Sequence, residues 1–563
     1  MINSYASVWE TVSEIVPDRP AIIHGDTTRT WREFEHRASR LANAFVTAGL
    51  KADSKIGHYL YNCNEYIETH FAAFKMRASP INVNYRYLEE ELIYLLDNSD
   101  CEAVIFHGRL AERINSVKDK LPKLKLLIQV QDDTEAPLIN GAVEFEAFLA
   151  GAQPLPRIEY SEDDVYMLYT GGTTGMPKGV MYRHGDHTKG MSLSYDFRGL
   201  KKPRSKEELK QAILALEAKE ALPVNLAACP LMHGTGIWLG GFCPLMAGGC
   251  AVTLPNIHFD AHGLLKEVTR HKVTDLIIVG DAFAKPITKA LDEALAAGEP
   301  HDISSLSMVI SSGVMWTTEI KQRMLKHHDM MLVDAMGSTE GSMGRSFTSR
   351  KSISKTAKFE KSQHAKVFNE QDQEVTPGSG EIGIIAAGGM VPLGYYKDPE
   401  KSAKTFRTID GVRYSFPGDF ATVEADGSIK LLGRGSACIN SGGEKIFPEE
   451  VEEAVKRHPN VYDCLVVGVP DERFGQKVIA VASPLEGQTL IQKELILEAR
   501  KHVAGYKLPK HVVIVPQVKR APNGKANYKW AKQIALDAFP PEPDTSSTRS
   551  ENTASPEPAT EES

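Results

Sequence analysis

The fold of this chain is decided by the stretch Thr170-Gly171-Gly172-Thr173-Thr174-Gly175-Met176-Pro177-Lys178-Gly179, which follows an apolar run at residues 165–169. The apolar run is typical of a buried strand. Glycine lets the backbone come close to a ligand and aim several N–H groups at one point, while threonine hydroxyls add donors and Lys178 adds positive charge. Together these features predict a polyphosphate-binding loop. The alternative is a flexible surface loop, which the interleaved glycines and threonines directly after a strand disfavour.

The loop is not a Walker A motif, because Lys178 is flanked by Pro177 and Gly179 and no Gly-Lys-[Ser/Thr] is present. It resembles instead the phosphate-binding motif of the adenylate-forming family, which comprises acyl-CoA synthetases, adenylation domains and firefly-type luciferases.

A second motif of that family, aromatic-Gly-x-Thr-Glu, has its counterpart in Met336-Gly337-Ser338-Thr339-Glu340. The resemblance implies that Thr339 contacts a phosphate and that Glu340 holds Mg²⁺, a hard cation that carboxylates suit. Met336 replaces the usual tyrosine, which stacks on adenine. A thioether can also pack on an aromatic face.

Two further motifs follow in the family's order. In Tyr414-Ser415-Phe416-Pro417-Gly418-Asp419 the aspartate resembles the one that binds the ribose hydroxyls, and Arg434 follows as the ribose or phosphate contact. Asn523-Gly524-Lys525 resembles the loop that carries the catalytic lysine. In isolation, Asp419, Arg434 and Lys525 would each be interpreted as an ordinary turn or surface residue. Their order and spacing after the first two motifs favour a functional interpretation.

The resemblance implies a catalytic set and a nucleotide set. The catalytic residues are Lys525, Thr339, Glu340 and Lys178. The ATP or AMP site comprises Thr170, Gly171, Gly172, Thr173, Thr174, Gly175, Lys178, Gly313, Met336, Gly337, Ser338, Thr339, Asp419, Arg434 and Lys525.

The acyl and CoA sites are also inferred by resemblance. His233 and Gly234 match the position that gates the acyl pocket, with Asp281 nearby; Gly234, Gly236, Gly240 and Gly241 suggest room for a large apolar acid. The CoA residues are Ser441, Gly442 and Gly443. The family's hinge residue, usually Asp or Lys, is Ser436 here.

Alternating helix and strand patterns predict an α/β fold with parallel sheets flanked by helices. A capping box at Thr30–Glu33 begins one helix, and residues 126–130 and 308–312 are typical strands. The resemblance implies a large N-terminal body of packed sub-domains at 1–434, with mixed sheets and a small β-barrel-like part. A mobile α+β lid at 435–535 and a disordered acidic tail at 536–563 follow.

The implied reaction joins a carboxylic acid to ATP, giving acyl-AMP and pyrophosphate, and then to CoA, giving acyl-CoA and AMP. Three segments resemble the bacterial subgroup that activates sterol side-chain carboxylates: residues 169–172, 201–222 and 439–445. A long-chain fatty acid is the alternative substrate. A luciferase-like oxygenase, an enzyme that loads a carrier protein, and a non-catalytic lipid- or nucleotide-binding relative are the alternative functions.

Composition excludes several other classes. With 65 Lys+Arg against 73 Asp+Glu in 563 residues, the net charge is −8, which disfavours a nucleic-acid partner. Seven cysteines without a CxxC and an N-terminus without a signal peptide favour a reducing, cytoplasmic location. A homodimer is left open.

Two smaller expectations concern burial. Residues 221–259 carry no Asp, Glu, Lys or Arg, but prolines and glycines interrupt them, so we expect a core helix followed by a buried strand and no membrane span. His184 and His187 lack a metal-binding context and are expected at the surface.

Overall fold

A computed structural model of the chain describes residues 3–170, 176–441, 444–471, 474–521 and 524–540. Among the helices in these ranges, none combines the length and hydrophobicity needed to span a bilayer.

The α-helices are α1 (Tyr5–Ile15), α2 (Trp31–Thr47), α3 (Asn64–Lys75), α4 (Glu89–Asn98), α5 (Ala111–Val117), α6 (Phe145–Ala150), α7 (His184–Gly190), α8 (Leu193–Phe197), α9 (Lys206–Glu217), α10 (Cys243–Leu245), α11 (Ala261–His271), α12 (Gly280–Ala296), α13 (Thr318–His327), α14 (Pro399–Thr405), α15 (Pro448–Lys456), α16 (Gln492–Arg500) and α17 (Tyr528–Ala538). A π-helix spans Thr235–Phe242. Short 3-10 helices lie at Gly108–Leu110, Lys118–Lys120, Gly435–Ala437 and Gly505–Lys507.

The strands are β1 (Pro20–His24), β2 (Thr27–Thr30), β3 (Lys55–Tyr59), β4 (Ser79–Asn82), β5 (Cys101–His107), β6 (Leu126–Val130), β7 (Ala142–Glu144), β8 (Val165–Thr170), β9 (Lys178–Arg183), β10 (Val224–Ala227), β11 (Cys250–Thr253), β12 (Asp275–Ile278), β13 (Met308–Ser312), β14 (Met331–Ser338), β15 (Gly341–Thr348), β16 (Lys358–Lys361), β17 (Ala365–Phe368), β18 (Gly383–Ala387), β19 (Gly394–Tyr395), β20 (Phe406–Ile409), β21 (Val412–Ser415), β22 (Asp419–Val423), β23 (Ile429–Arg434), β24 (Ile439–Ser441), β25 (Glu444–Ile446), β26 (Val461–Asp471), β27 (Gly475–Pro484) and β28 (His511–Ile514).

The expected helix start at Thr30 is confirmed. The Thr30 hydroxyl accepts from the Glu33 N–H, and the Glu33 carboxylate accepts in return from the Thr30 N–H, which completes a capping box for α2. The chain leaves the helix through Gly49 at φ +92°, a conformation that glycine adopts without strain. The α2 helix is thereby fixed at its N-terminus by its own sequence.

Two sheets form the larger part of the molecule, and together they confirm the α/β class. One has five parallel strands in the order β4-β3-β5-β6-β7. The other runs β2-β1-β11-β10-β12-β13-β14-β15-β16-β23-β22-β18-β21-β20, with β17 paired to β18. Its segment from β1 to β14 is parallel, and pairing from β14 onward is antiparallel.

The antiparallel part of the large sheet encloses its own apolar core, which includes Met336, Met343, Phe359 and Ile385. The resemblance led us to expect a small β-barrel-like part, and this antiparallel segment is the β-rich region that the structure shows. It is not a separate sheet, because β14 pairs with β13 on one side and with β15 on the other.

The uncharged stretch at 221–259 is mostly buried up to Leu254, as expected, whereas residues 255–259 are exposed. It supplies β10, the π-helix, α10 and β11, and the strand β10 lies between β11 and β12 in the parallel part of the sheet. The sequence predicted the helix and the second strand but missed β10, because four residues give too short an apolar pattern to recognise.

The chain divides into two compact units, one of residues 1–432 with 522–525 and one of 433–521 with 526–563. In the second unit β27 pairs antiparallel with β26 and parallel with β28. Side chains of β26 alternate between two cores: Cys464 and Val466 pack with α15 and α16, while Leu465 and Val467 pack with α17. Because both sheet faces are covered by helices, this unit is α+β, in agreement with the expected class.

The predicted boundaries can be compared with these units. The division after residue 432 lies close to the boundary expected after 434. The predicted tail at 536–563 begins within α17, which ends at Ala538, and its residues 541–563 lie outside the described ranges.

The expectation that His184 and His187 are surface residues is wrong. They are 4% and 0% exposed. The His184 ring packs against Tyr5 and Phe74, and the Tyr5 hydroxyl lies 2.6 Å from Nδ1 of His187. Burial lowers the pKa of His184 to about 3 and that of His187 well below its ordinary value. Tyr5 of α1 and Phe74 of α3, far away in sequence, cover the His184 ring. The His187 ring is covered by Tyr5, Tyr166, Tyr182 and Trp238.

This burial predicts an acid-sensitive fold. Between pH 6.5 and about 3 the unfolded chain binds a proton at His184 that the folded chain does not, so stability falls as pH falls through this window. At pH 5 this histidine alone would cost about 2 kcal/mol. We expect the Tm from thermal shift scans to fall between pH 7 and pH 5, and His184→Leu to reduce that fall. His36→Leu, at an exposed position, serves as control, and equal falls in all three proteins would contradict this account.

Candidate active site

The two ends of the predicted phosphate loop lie side by side. Thr170 is the last residue of β8 and Lys178 the first of β9, and the antiparallel ladder pairs them directly. The predicted residues Gly171, Gly172, Thr173, Thr174 and Gly175 lie outside the described residues. The ladder therefore fixes where the loop leaves the sheet and where it returns.

The predicted residues Thr339 and Glu340 form the tip of a tight hairpin. They connect β14 to β15, whose last pair is Ser338 with Gly341. The Glu340 N–H donates to the Ser338 hydroxyl at 3.1 Å, which stabilises the turn. A two-residue hairpin connection leaves both tip residues little freedom.

Two tyrosines from the neighbouring three-stranded sheet β19-β9-β8 hold this tip. The Tyr182 hydroxyl donates to the carbonyl oxygen of Thr339 at 2.9 Å, and the Tyr395 hydroxyl donates to Oε1 of Glu340 at 2.8 Å. The ammonium of Lys178 lies 5.6 Å from the centre of the Tyr395 ring. The structure thus brings Lys178, Thr339 and Glu340 together around Tyr395.

Neither tyrosine was found from the sequence. One signal was available: Lys178, Val180 and Tyr182 alternate along one strand and so lie on the same face. Tyr395 pairs with Val180 across the ladder, a contact that no local pattern reveals.

The protonation of Tyr182 suits its role at the tip. Burial raises the pKa of its hydroxyl well above the ordinary value, and the negative charge of Glu340 raises it further. The hydroxyl therefore keeps its proton and continues to donate to Thr339.

A cavity of about 120 Å³ lies within the larger unit and joins three more predicted residues: Thr170, His233 and Lys525. Its other lining residues are Asn82, Asn84, Tyr87, Leu95, Tyr169 and Met232. A Cβ built on Gly313, at φ +98°, would lie 4.0 Å from Cε of Lys525, so Gly313 also borders this region.

His233 is uncharged in this environment. Burial, together with the positive charges of Lys525 and Arg86, lowers its pKa to about 3. At neutral pH the cavity therefore has one cationic wall, at Lys525, beside a neutral imidazole. Such a wall favours a bound anion.

Asp281 links two helices, and the acyl-pocket contact expected of it stays a prediction. Its carboxylate accepts from the Thr317 N–H at 2.9 Å and from the Thr317 hydroxyl, which ties the first turn of α12 to the N-terminus of α13. It is not among the residues that line the cavity described above.

The glycines expected to leave room for a large acid are close-packing positions instead. A Cβ on Gly236 would collide with the Pro230 carbonyl, and one on Gly240 would lie 2.6 Å from Cβ of Ala227. The Trp238 ring fills the space beside Gly234 at 3.2 Å, and Ile237 lies 3.1 Å from a Cβ on Gly241. None of the four leaves open space.

The remaining predicted residues are placed as follows. The Met336 side chain, 6% exposed, packs into the antiparallel core, so its contact with adenine remains a prediction. Gly337 lies beside it on β14, next to a bulge. Asp419 begins β22 and is 8% exposed, directly after Gly418 at φ +96°.

Two predicted residues that the structure describes belong to the second unit. Arg434 ends β23 and Ser441 ends β24. Gly442 and Gly443 lie outside the described residues.

Comparisons with known proteins cover nearly the whole chain. Residues 9–396 match the family described as AMP-binding enzyme, and residues 450–525 match the AMP-binding enzyme C-terminal domain. The chain is 40% identical to the 3-oxocholest-4-en-26-oate–CoA ligase of Rhodococcus rhodochrous, over 94% of this chain and 96% of that protein. It is also 40% identical to the medium/long-chain-fatty-acid–CoA/3-oxocholest-4-en-26-oate–CoA ligase of Mycolicibacterium smegmatis, over 95% and 97%.

Among solved structures, the fold is similar to that of the anthranilate CoA ligase AuaEII in complex with anthranoyl-AMP. The TM-score is 0.81, with 21% identity over 95% of this chain and 98% of that one. At this identity the likeness concerns the fold alone.

Proposed function

The chain belongs to the AMP-binding enzyme family, and on that premise we propose that it is an AMP-forming acyl-CoA synthetase. The observation that carries the proposal is the cluster in which Tyr395 links Lys178 to Glu340, directly where the phosphate loop returns to the sheet. Full-length relatives named as CoA ligases support the second half of the reaction.

In the first step a carboxylate oxygen of the acid attacks the α-phosphorus of ATP, and the bond to pyrophosphate breaks. Both reactants are anions, so the site must concentrate positive charge where they meet. We assign Lys525 to bridge the carboxylate and the α-phosphate, and Lys178 to the phosphates. The loop from Thr170 to Gly175 and the tip residues Ser338 and Thr339 complete the phosphate contacts.

Glu340 fits a magnesium ion that arrives with ATP. Among the described residues, no group of three or more His, Cys, Asp and Glu side chains is placed to hold a metal ion. Mg²⁺ is typically held by one or two carboxylates together with substrate phosphates, which is the donor set that Glu340 and ATP provide. When bound, the ion would neutralise phosphate charge as pyrophosphate departs.

We assign the remaining nucleotide contacts by their motifs. Asp419 accepts from the ribose hydroxyls and Arg434 binds the ribose or a phosphate. Gly313, Met336 and Gly337 lie along the base.

In the second step the CoA thiol loses its proton and attacks the acyl carbon, and the bond to AMP breaks. We propose that residues 435–535 act as a lid that moves between the two steps, with Ser436 at its hinge and residues 536–563 as a tail. Ser441, Gly442 and Gly443 would admit the pantetheine arm, and glycine there allows close approach. The reaction uses ATP and CoA. Both are available in the cytoplasm, where we propose that the protein is located.

The proposed acid is a bulky apolar one, a steroid side-chain carboxylate, with a medium- or long-chain fatty acid as the second candidate. Support comes from the relatives, which are named for both kinds of acid. The glycines near His233 give no support, because neighbouring atoms already fill the space beside them. His233 and Gly234 remain the proposed gate of the acyl site.

The function is tested with a panel of steroid side-chain, medium-chain fatty, long-chain fatty and aryl acids. We expect ATP–pyrophosphate exchange and CoA-thioester formation with the steroid acid or the long fatty acids, and little with aryl acids. Absence of acid-dependent exchange across the panel would overturn the enzyme assignment. Preference for aryl acids would overturn the acid class only.

Lys525→Ala should separate the two half-reactions. The proposed contacts of this lysine are made only while acyl-AMP forms. The variant should therefore lose ATP–pyrophosphate exchange but still form the CoA thioester from supplied acyl-AMP. Lys519→Ala, an exposed lysine of the same region, is the control and should resemble the wild type. Loss of both half-reactions in Lys525→Ala would count against the assigned role.

Tyr395→Phe removes the hydroxyl that donates to Glu340 and keeps the ring beside Lys178. A hydrogen bond to a charged group contributes about 1.5–3 kcal/mol, so we expect kcat/KM to fall by roughly tenfold or more. We also expect the Mg²⁺ concentration for half-maximal rate to rise.

The matched control for Tyr395→Phe is Tyr396→Phe, because the Tyr396 hydroxyl donates instead to Asp100 at 2.7 Å. Equal Mg²⁺ dependence in the two variants would contradict the positioning of Glu340 by Tyr395.

A further inference from the structure

Asn82, the last residue of β4, makes three hydrogen bonds with two separate segments of the site. Its side-chain amide donates to the Tyr169 carbonyl at 2.8 Å and to the Met232 carbonyl at 2.7 Å. Its side-chain oxygen accepts from the Tyr169 N–H at 2.6 Å. The side chain is 5% exposed, so its amide donors are engaged with protein and not with water.

These partners directly precede two residues of the cavity. Tyr169 is followed by Thr170, where the phosphate loop begins, and Met232 is followed by His233. One buried amide therefore links the start of the phosphate loop to the segment that carries the proposed acyl gate.

Asn62 holds the same segment from its other end. Its amide donates to the Cys229 carbonyl at 3.1 Å, and its oxygen accepts from the Leu231 N–H at 2.8 Å. Asn62 follows β3, which lies beside β4 in the five-stranded parallel sheet. The carboxyl ends of two neighbouring strands thus hold residues 229–232 in place, and this edge of a parallel sheet is a common location for a binding site.

The chemistry of the position requires an amide. Aspartate could accept from the Tyr169 N–H, but its carboxylate would face two carbonyl oxygens with no proton to donate. Alanine or leucine would leave buried backbone groups without partners, which destabilises their placement.

We propose that Asn82, supported by Asn62, is a positioning residue that fixes the distance between the phosphate loop and the acyl gate. This inference rests on the proposed function, in which the carboxylate of the acid and the α-phosphate must meet at one point. A small misplacement of reacting groups lowers rates by large factors, so loss of this link should be seen in kcat.

The control is Asn64, which is also buried, at 4% exposed, and whose amide donates to the Thr27 carbonyl away from the cavity. Asn64→Ala removes a comparable side chain from the same unit. Any effect it shares with Asn82→Ala reflects a general loss of stability.

Hydrogen–deuterium exchange of the intact protein tests the link without reference to activity. In Asn82→Ala we expect faster exchange in peptides covering 165–170 and 228–233. Asn62→Ala should affect only the second peptide, and Asn64→Ala neither. Wild-type exchange in both peptides of Asn82→Ala would overturn the inference even if the enzyme assignment failed.

Enzyme kinetics, measured with the acid that the wild-type enzyme prefers, test the effect of this link on catalysis. Asn82→Ala should lower kcat of ATP–pyrophosphate exchange by about 10- to 100-fold, while Asn64→Ala stays within about twofold of wild type. In double variants with His233→Ala, the effects of Asn82→Ala on the KM for the acid should be less than additive, and those of Asn64→Ala additive. Additive effects of Asn82→Ala and His233→Ala on the KM for the acid would overturn the proposal that Asn82 acts through the gate.

Asn82→Asp provides a second variant if the alanine variant fails to fold. Protonation of the introduced carboxyl restores one donor, so the activity of this variant relative to wild type should rise as pH is lowered from 8 to 6. A constant ratio over this range would count against the proposal.

Discussion

The site depends on one hydrogen bond between two sheets, from the Tyr395 hydroxyl to the Glu340 carboxylate. Tyr395 belongs to the short sheet that also carries Lys178, whereas Glu340 lies at the tip of a hairpin of the large sheet. The Tyr182 hydroxyl also links the short sheet to this hairpin tip through the Thr339 carbonyl, and the bond from Tyr395 is the one that orients the Glu340 carboxylate. With it, the ring of Tyr395 lies beside the ammonium and its hydroxyl fixes the anion, so opposite charges are held near each other without direct neutralisation. Both therefore remain available to a phosphate and its metal ion.

The cavity at Lys525 also keeps its charge available to a ligand. A positively charged site normally repels a second cation, and here the neighbouring His233 is kept neutral by burial and by the charges of Lys525 and Arg86. The cationic wall is thus concentrated at the lysine, where the proposed reaction brings two anions together. Polar groups that face the cavity, such as Asn82, are held by backbone partners, so little reorganisation is needed when a ligand binds.

Much of this could be predicted from the sequence, for physical reasons that differ between residues. The capping box at Thr30 and the strand at 126–130 follow from local patterns, and the structure has both. The motif around Glu340 was recognisable because its residues are contiguous. Tyr395 and Asn82 were not, because their partners are 55 and up to 150 positions away in sequence. His184 was misjudged for the same reason: its burial is created by rings from α1 and α3 and not by its own neighbours.

The glycines after His233 show how a correct observation can lead to the wrong conclusion. Small residues leave room only if nothing else fills it, and here they let the π-helix press against Pro230 and against Ala227 of β10. On this closely packed π-helix, the Trp238 indole donates to the Tyr166 hydroxyl at 2.9 Å. Under the proposed function, selectivity for the acid would therefore not be set by empty space beside these glycines. π-Helical turns are frequent at functional sites, and the glycines provide the packing that supports this one.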